Sequence, residues 1–267
     1  MKKFVNKVTA QIFIILIPLL VSIFYPIQNI APGILSLGWD VSNFNETINN
    51  IVDINIVISM IWGLLGSVFI CLLIRRSNKN KLFNRGSQYN DYPLWLYWTA
   101  GRILGYGKIT LVRVPIYLQF QLLFKDYFPE VLIDGAEERK LEVKIIKRNM
   151  NEVSNEINLI LIDTYKIVTS EIPQDKVNLP TIIIESGNQI DSNRSFNPEF
   201  LKEVRKITNI YRKEYKQINV FATTNTDHNK AIINKCFKNG GRTGFENIFV
   251  YQASRGSYVF EERYKVL

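Results

Sequence analysis

The chain is organised around residues 54–74, which read INIVISMIWGLLGSVFICLLI. This apolar run contains no charged residue and has about the length that an α-helix needs to cross a lipid bilayer. Five cations follow it before the next carboxylate, Asp91; they are Arg75, Arg76, Lys79, Lys81 and Arg85. Because cations that flank a span collect on the cytoplasmic side, the pattern predicts a membrane-spanning helix whose C-terminal end faces the cytoplasm.

A first apolar run covers residues 8–27 and follows three lysines, Lys2, Lys3 and Lys7. A basic start before an apolar run is also typical of a secretory signal peptide. No clear small-x-small cleavage site follows this run, and it is somewhat long for the apolar part of a signal. We therefore interpret it as an uncleaved first helix, in which Pro18 would introduce a kink that neighbouring helices can accommodate.

The segment between the two runs, residues 28–53, contains Asp40, Glu46 and Asp53 but no Lys or Arg, whereas both outer flanks are basic. The positive-inside rule then places this loop outside the cell and both termini in the cytoplasm. The sequence thus predicts a multi-pass protein of the cell membrane whose partner is the lipid bilayer. We also expect self-association through the transmembrane helices.

Composition narrows the classes of function further. The formal net charge of this 267-residue chain is +9, but part of the excess flanks the spans, so it gives no direct argument for nucleic acid as a partner. Cys71 lies within a span and Cys236 lies far along the chain, so neither a disulfide framework nor a zinc site is expected. His228 is the single histidine, and the sequence identifies no metal site and no cofactor.

Residues 86–150 form an aromatic-rich connecting region. Trp95 and Trp98 lie near cations and so favour a membrane surface, but alternating residues in 108–114 and nearby glycines favour strands and turns of a soluble core. A third span over residues 109–124 would carry Arg113 and Pro115 near its middle, which makes it too costly. We therefore predict a domain division of 1–85, 86–150 and 151–267.

Residues 151–267 alternate between apolar runs and amphipathic stretches. The clearest helix covers residues 198–217, with Asn197 as its N-cap and Pro198 in its first position; a second covers 228–238. Apolar strands joined by such helices predict a mainly parallel sheet flanked by helices. The predicted strands are 141–146, 157–162, 181–184, 218–222, 248–251 and 258–263.

Small polar residues gather where the predicted strands end, and ligands of parallel α/β sheets bind at that edge. Their hydroxyl and amide groups, and a glycine that allows close backbone approach, suit a nucleotide-like or other anionic ligand. Arg255 is the preferred cation for such a ligand, with Arg242 and Arg194 behind it. These residue types also terminate strands and cap helices, and Thr226 or Asp227 would cap the second helix. The predicted ligand-binding residues are Asp163, Thr164, Glu185, Ser186, Gly187, Thr223, Thr224, Asn225, Ser254 and Arg255.

Catalysis is the second interpretation of the same edge. Asp163, Glu185 and Asp227 would supply an acid and a base, or hold Mg²⁺. Ser186 lacks the preceding glycine of a nucleophile elbow. His228 would act as a base or, as a single histidine at a helix start, lie at the surface or in a cap. Neither dinucleotide-binding nor P-loop glycine motifs are present, so no catalytic residue is assigned.

The overall plan, two spans followed by a cytosolic α/β domain, is similar to that of bacterial membrane effectors switched on by small nucleotide signals in phage defence. The resemblance is one of architecture. It implies a membrane-anchored sensor or effector whose cytosolic domain binds a nucleotide-like or other anionic ligand, or a partner protein, and alters the helical hairpin. A membrane-tethered hydrolase or transferase and a non-catalytic assembly or interaction protein are the alternatives.

Overall fold

A computed structural model of the protein describes residues 2–24, 54–188, 194–238, 244–254 and 256–267. The chain divides into two compact units. The first contains Met1–Phe83 and Trp95–Lys108, and the second contains Asn84–Leu94 and Ile109–Leu267. Residues 86–150 are thus shared between the units, and the three-part domain division drawn from the sequence stays a prediction.

Two long helices dominate the first unit: α1, Lys2–Phe24, and α2, Ile54–Asn78. The two helices approach each other closely at Gly63, where a side chain would collide with Ser22 Oγ. Most large apolar side chains within Lys7–Phe24 and Val57–Asn78 are exposed. Both stretches are long and apolar enough to cross a membrane. Small residues between the helices and large ones outside are typical of a membrane hairpin.

Side chains at the Asn78 end of α2 hold residues 95–108 against the hairpin. Asn78 Nδ2 donates to the Leu104 carbonyl at 3.0 Å and to Gln11 Oε1 of α1 at 3.2 Å. The Tyr106 hydroxyl donates to the same Gln11 oxygen at 3.3 Å. Part of the aromatic region therefore belongs to the hairpin unit. It folds into a short helix, α3, Leu94–Trp98, and a π-helical turn, Thr99–Ile103.

The rest of the aromatic region belongs to the second unit. The alternating stretch forms a strand, β1, only over Lys108–Thr110, which pairs with β2, Glu130–Leu132. Pro115 then opens a ten-residue helix, α4, Ile116–Lys125, which buries Phe120 and Leu122. A helix of that length is too short to span a bilayer, which agrees with the rejection of a third span.

The second unit is built on a six-stranded mixed sheet. Its strands are β3, Lys144–Arg148; β4, Glu156–Ile162; β5, Thr181–Glu185; β6, Gln217–Ala222; β7, Asn247–Gln252; and β8, Glu262–Lys265. Their order is β3-β5-β4-β6-β7-β8; the central four are parallel, and β3 and β8 pair antiparallel at the edges. The prediction of a mainly parallel sheet is therefore not confirmed. Residues 253–261 are too few for a crossover helix, so β8 returns antiparallel to β7.

Different elements cover the two faces of this sheet. One face carries Leu159, Leu161 and Asp163 and packs against α4, α6, Pro198–Tyr211, and α7, Thr226–Ile232, which continues as π-helical Ile233–Phe237. The opposite face carries a core of aliphatic and aromatic side chains, with a short helix, α5, Gln174–Val177, packed against it. The core residues are Ile160, Ile162, Ile172, Ile183, Phe221, Tyr251 and Phe260.

The helix caps confirm one prediction and correct another. Asn197 caps α6 as expected, since its side chain accepts from the Glu199 N–H at 3.1 Å and Pro198 holds the first position. The N-cap of α7 is Asn225, whose side chain accepts from the His228 N–H at 2.8 Å. The prediction that Thr226 or Asp227 caps this helix is wrong, because the helix begins at Thr226, two residues earlier than the predicted start at residue 228.

Candidate functional site

Four groups from two chain segments, residues 186–188 and 225–228, converge on the carboxylate of Asp163, which directly follows β4. Ser186 Oγ and Asn188 Nδ2 each donate to Oδ1 at 2.6 Å. The Asn225 N–H donates to Oδ2 at 3.1 Å, and His228 Nδ1 lies 2.8 Å from the same oxygen. Asp163 is completely buried. These hydrogen bonds therefore replace the water that the carboxylate loses on folding.

His228 is the least expected member of this buried cluster. The Asn197 N–H donates to Nε2 at 2.9 Å, so the ring proton resides on Nδ1, which donates to Asp163. The rings of Phe196 and Phe200 each lie 5.0 Å from the imidazole, centroid to centroid. The prediction of a surface or capping role for His228 is wrong, because its side chain is fully buried and joins α7 to α6 and β4.

The surroundings of Asp163 keep it ionised. Burial by itself raises the pKa of a carboxyl group, but the hydrogen bonds from His228, Ser186 and Asn188 outweigh it and lower the pKa of Asp163 below its usual value. The cluster therefore holds one negative charge in the interior at neutral pH. A buried charge that is fully hydrogen-bonded fixes the loops that supply its donors.

Several other predicted ligand residues join the same network. The Thr164 hydroxyl donates to the Thr223 carbonyl at 2.6 Å, and the Thr223 hydroxyl donates to the Tyr165 carbonyl at 2.8 Å. Thr224 donates to the Asn229 side chain, and Asn225 Nδ2 donates to the Ser195 carbonyl at 3.0 Å. These side chains bind the loops to one another, which is the strand-terminating role that the sequence offered as the alternative.

The remaining predicted residues lie outside this network. Glu185 is half-buried at the end of β5, and Gly187 adopts a φ of +82°, which favours glycine. Ser254 bonds within its own loop, donating to the Val259 carbonyl at 3.0 Å. Arg255, the preferred cation, and Arg242 lie outside the described residues, so the ligand role of the whole edge stays a prediction.

Asp163, Ser186 and His228 have the residue types of a catalytic triad but not its geometry. Ser186 donates to the carboxylate, whereas a triad serine would bond to the imidazole, and His228 Nε2 is occupied by a backbone N–H. Asp227 accepts from the Ala136 N–H at 3.2 Å. Within the described ranges, no three His, Cys, Asp or Glu residues are grouped so that they could hold a metal ion.

Exposed side chains surround the buried network at the same edge of the sheet. Tyr165 follows β4 and Tyr258 lies in the loop after β7; they are 54% and 61% exposed, and Arg194, which precedes α6, is exposed as well. We call Tyr165, Arg194 and Tyr258 the tyrosine rim. Partial burial is the main cause that raises the pKa of Tyr165; the charge of Tyr258 raises it further and that of Arg194 lowers it, so both groups lie within electrostatic range of Tyr165.

Sequence reasoning found only part of this rim. The sequence analysis names Arg194 as a secondary cation, and Tyr165 directly follows two of the predicted ligand-binding residues. It predicts Tyr258 in the last strand, but β8 begins at Glu262 and Tyr258 adopts a φ of +59° in the preceding loop. A tyrosine next to Gly256 and Ser257 was the available signal for a loop.

A separate cavity of about 340 Å³ lies along the outer side of α7. Its lining includes Ile133, Phe196, Lys230 and Lys235, with Asp227 and Glu138 balancing the two lysines. Lys230 Nζ donates to the Val131 carbonyl at 2.9 Å, so this lysine is already engaged. The cavity is thus lined in part by apolar side chains and carries no excess of positive charge that would favour an anionic ligand.

Two long apolar helices followed by a mixed α/β unit are the arrangement typical of a membrane protein with a separate globular unit. The model of the SMODS- and ubiquitin system-associated 2TM effector domain matches residues 1–267 of this chain. The protein belongs to that family. A search of curated protein sequences returns no match.

A comparison with solved structures finds distant similarity to receptors from Acinetobacter baumannii that contain a SAVED/CARF domain. Cap4 with the cyclic trinucleotide 3′3′3′-cAAA is 12% identical, with a TM-score of 0.41 over 64% of this chain and 41% of that one. Cap4 with 2′3′3′-cAAA is 12% identical, with a TM-score of 0.39 over 85% of this chain and 46% of the other. The chain spans less than half the length of these structures.

Proposed function

We propose that this protein is a membrane-anchored sensor and effector of anti-phage defence. Its α/β unit binds a nucleotide-like anion at the tyrosine rim, and the bound state alters the packing of α1 against α2. The observation that carries the proposal is the rim itself, two exposed tyrosines beside an arginine at the carboxyl edge of parallel strands. Membership of a two-helix effector family supports the same function.

The chemistry of the rim favours a ligand with both an aromatic ring and a negative charge. Tyrosine rings stack on nucleobases, and an arginine forms charge-assisted, bidentate hydrogen bonds to a phosphate. The network below the rim supports binding more than turnover. Its acid, hydroxyl and imidazole groups are buried and bonded to one another, so they hold the loops that carry the rim in place.

The ligand would be found by a thermal-shift screen of the full chain in lipid nanodiscs. The probes are AMP, linear oligoadenylates, and the cyclic trinucleotides 3′3′3′-cAAA and 2′3′3′-cAAA, with uncharged adenosine as the control. A ligand at about 100 times its Kd stabilises the folded state by about 2.7 kcal/mol, so at least one phosphorylated probe should raise the melting temperature and be recovered unchanged. A flat response to every probe would exclude this class of ligand, and conversion to product would favour the enzyme interpretation.

The topology that we propose has α1 and α2 crossing the cell membrane with both termini in the cytoplasm. A cysteine introduced at residues 38–49 should react with a membrane-impermeant maleimide on intact cells, and one introduced at Ser87 should not. Cys71→Ala gives a suitable background, since Cys236 is buried and burial raises its pKa to about 12, which keeps the thiol unreactive. If only the cysteine at position 87 were labelled, the orientation of the helices would be opposite to the one proposed.

A further inference from the structure

The helical segment of residues 95–103 exposes its two tryptophan side chains and buries the opposite face. Trp95 and Trp98 are 59% and 45% exposed, and Arg102 and Ile103 are exposed beside them. The buried face consists of Leu96, Tyr97, Thr99 and Ala100. Tryptophans three residues apart on a helix lie on the same side, so they form one apolar patch that no described residue covers.

This patch is attached directly to the end of α2. Arg75 Nη1 donates to the carbonyl of Ile103 at 3.1 Å and also to the carbonyl of Arg102. A Cβ atom at Gly105 would lie 3.0 Å from the Arg75 backbone, and Gly105 has a φ of +70°. The tryptophans therefore lie beside the turn of α2 at which the apolar span gives way to cations.

The charged residues that flank the patch along the chain are cations, apart from Asp91, whose carboxylate accepts a hydrogen bond from the Tyr117 hydroxyl at 2.9 Å. Residues 54–90 and 95–108 contain no Asp or Glu. The cations that follow the apolar span and the second tryptophan are all exposed; they are Arg75, Arg76, Lys79, Lys81 and Arg102. Tryptophan rings favour the boundary between lipid headgroups and acyl chains, and clustered Lys and Arg beside a span attract anionic headgroups.

We propose that Trp95, Trp98 and Ile103 insert into the interfacial layer of the bilayer and that the neighbouring cations bind the phosphates of anionic lipids. The inference rests on the membrane anchoring that forms part of the proposed function. The patch is thus a lipid-binding surface that fixes the depth and tilt of α2 through the Arg75 contacts. An aqueous protein partner is the competing occupant, and the test distinguishes it.

Depth-dependent fluorescence quenching tests this proposal in the full chain. Variants that retain one tryptophan, either Trp95 or Trp98, and carry phenylalanine at the other three are placed in nanodiscs with lipids brominated near the headgroup or at mid-chain. A variant that retains only Trp62, which is exposed within α2, reports on the span. We expect blue-shifted emission from Trp95 and Trp98, with stronger quenching by bromine near the headgroup, whereas Trp62 should be quenched more by bromine at mid-chain.

A second series tests the anionic component. Raising the fraction of phosphatidylserine should increase quenching at Trp98, and the triple variant Arg76→Gln, Lys79→Gln and Arg102→Gln should lose that increase. Emission typical of water from Trp95 and Trp98, with Trp62 still quenched, would overturn the lipid-binding surface and favour a protein partner. If Trp62 also escaped quenching, the membrane anchoring itself would be wrong.

Discussion

Replacing Asp163 by alanine is expected to lower the free energy of unfolding of the α/β unit by about 3 to 5 kcal/mol. The substitution removes the acceptor for Ser186 Oγ, Asn188 Nδ2, the Asn225 N–H and His228 Nδ1, all in the interior. Each buried donor left without an acceptor costs about 1 to 3 kcal/mol, reduced by whatever local relaxation allows. Thermal unfolding of the full chain in detergent should show a decrease in Tm on the order of 10 °C.

Asp134→Ala is the matched control, because this carboxylate is exposed and its loss should change stability by no more than about 0.5 kcal/mol.

The contribution of Asp163 to the free energy of unfolding should also depend on pH. Its pKa is lowered by folding, so its stabilising contribution is complete above the unfolded value of about 3.9 and is lost as the pH falls below that value. The stability difference between the wild type and Asp163→Asn should therefore shrink as the pH falls below about 4. A difference that is constant with pH, or equal costs for Asp163 and Asp134, would show that the cluster is not a charged anchor.

Replacing Arg194 by alanine should weaken nucleotide binding roughly 10- to 150-fold. The estimate comes from the loss of one charge-assisted hydrogen bond, worth about 1.5 to 3 kcal/mol, and each 1.4 kcal/mol is about tenfold in Kd. Tyr165→Ala should cost a similar amount, since stacking of one base on an aromatic ring contributes about 1 to 3 kcal/mol. Both side chains are exposed, so neither change should lower Tm appreciably. Isothermal titration with the strongest binder from the thermal-shift screen measures these losses.

Two lysines provide matched controls for the loss of charge. Lys213 is exposed just after α6, at the opposite edge of the sheet, and Lys213→Ala should leave Kd unchanged. Lys235→Ala removes a cation from the cavity along α7 and should also have no effect. Loss of affinity in the Lys235 variant, with Arg194→Ala binding normally, would place the ligand in that cavity and contradict a site at the tyrosine rim.

The parts of the fold that follow from local pattern were predictable. The length of the apolar run defines α2, and the positions of β4, β5, β6 and β7 follow from short apolar runs between turn residues. Asn197 followed by Pro198 identifies the start of α6 in the same way. The directions of β3 and β8 were not predictable, because the alternation of apolar and polar residues does not indicate whether an edge strand pairs parallel or antiparallel.

The buried network around Asp163 was predictable in part, and the ligand-binding role of this edge stays a prediction. Polar residues at the strand ends indicated where the loops meet, yet the pairing of Asp163 with His228 joins residues 65 positions apart and depends on how α7 packs against the sheet. A polar residue at a strand end has the same appearance in sequence whether it faces a ligand or a neighbouring loop. Most hydroxyl groups of the predicted ligand-binding residues form hydrogen bonds within the buried network. The ligand proposal therefore rests on the exposed tyrosines.

The most direct test of the sensor function is a distance measurement within the hairpin as the α/β unit is titrated with nucleotide. Nitroxide labels at Phe13 and Leu72, both exposed on their helices, report the spacing of α1 and α2 by pulsed electron resonance in a Cys71→Ala background. A ligand shifts a conformational equilibrium only if it prefers one state. We predict that the distance distribution changes over the same concentration range as binding, and at roughly 10-fold or higher concentration in Arg194→Ala. Saturated binding with an unchanged distribution would contradict the proposed coupling between ligand and hairpin.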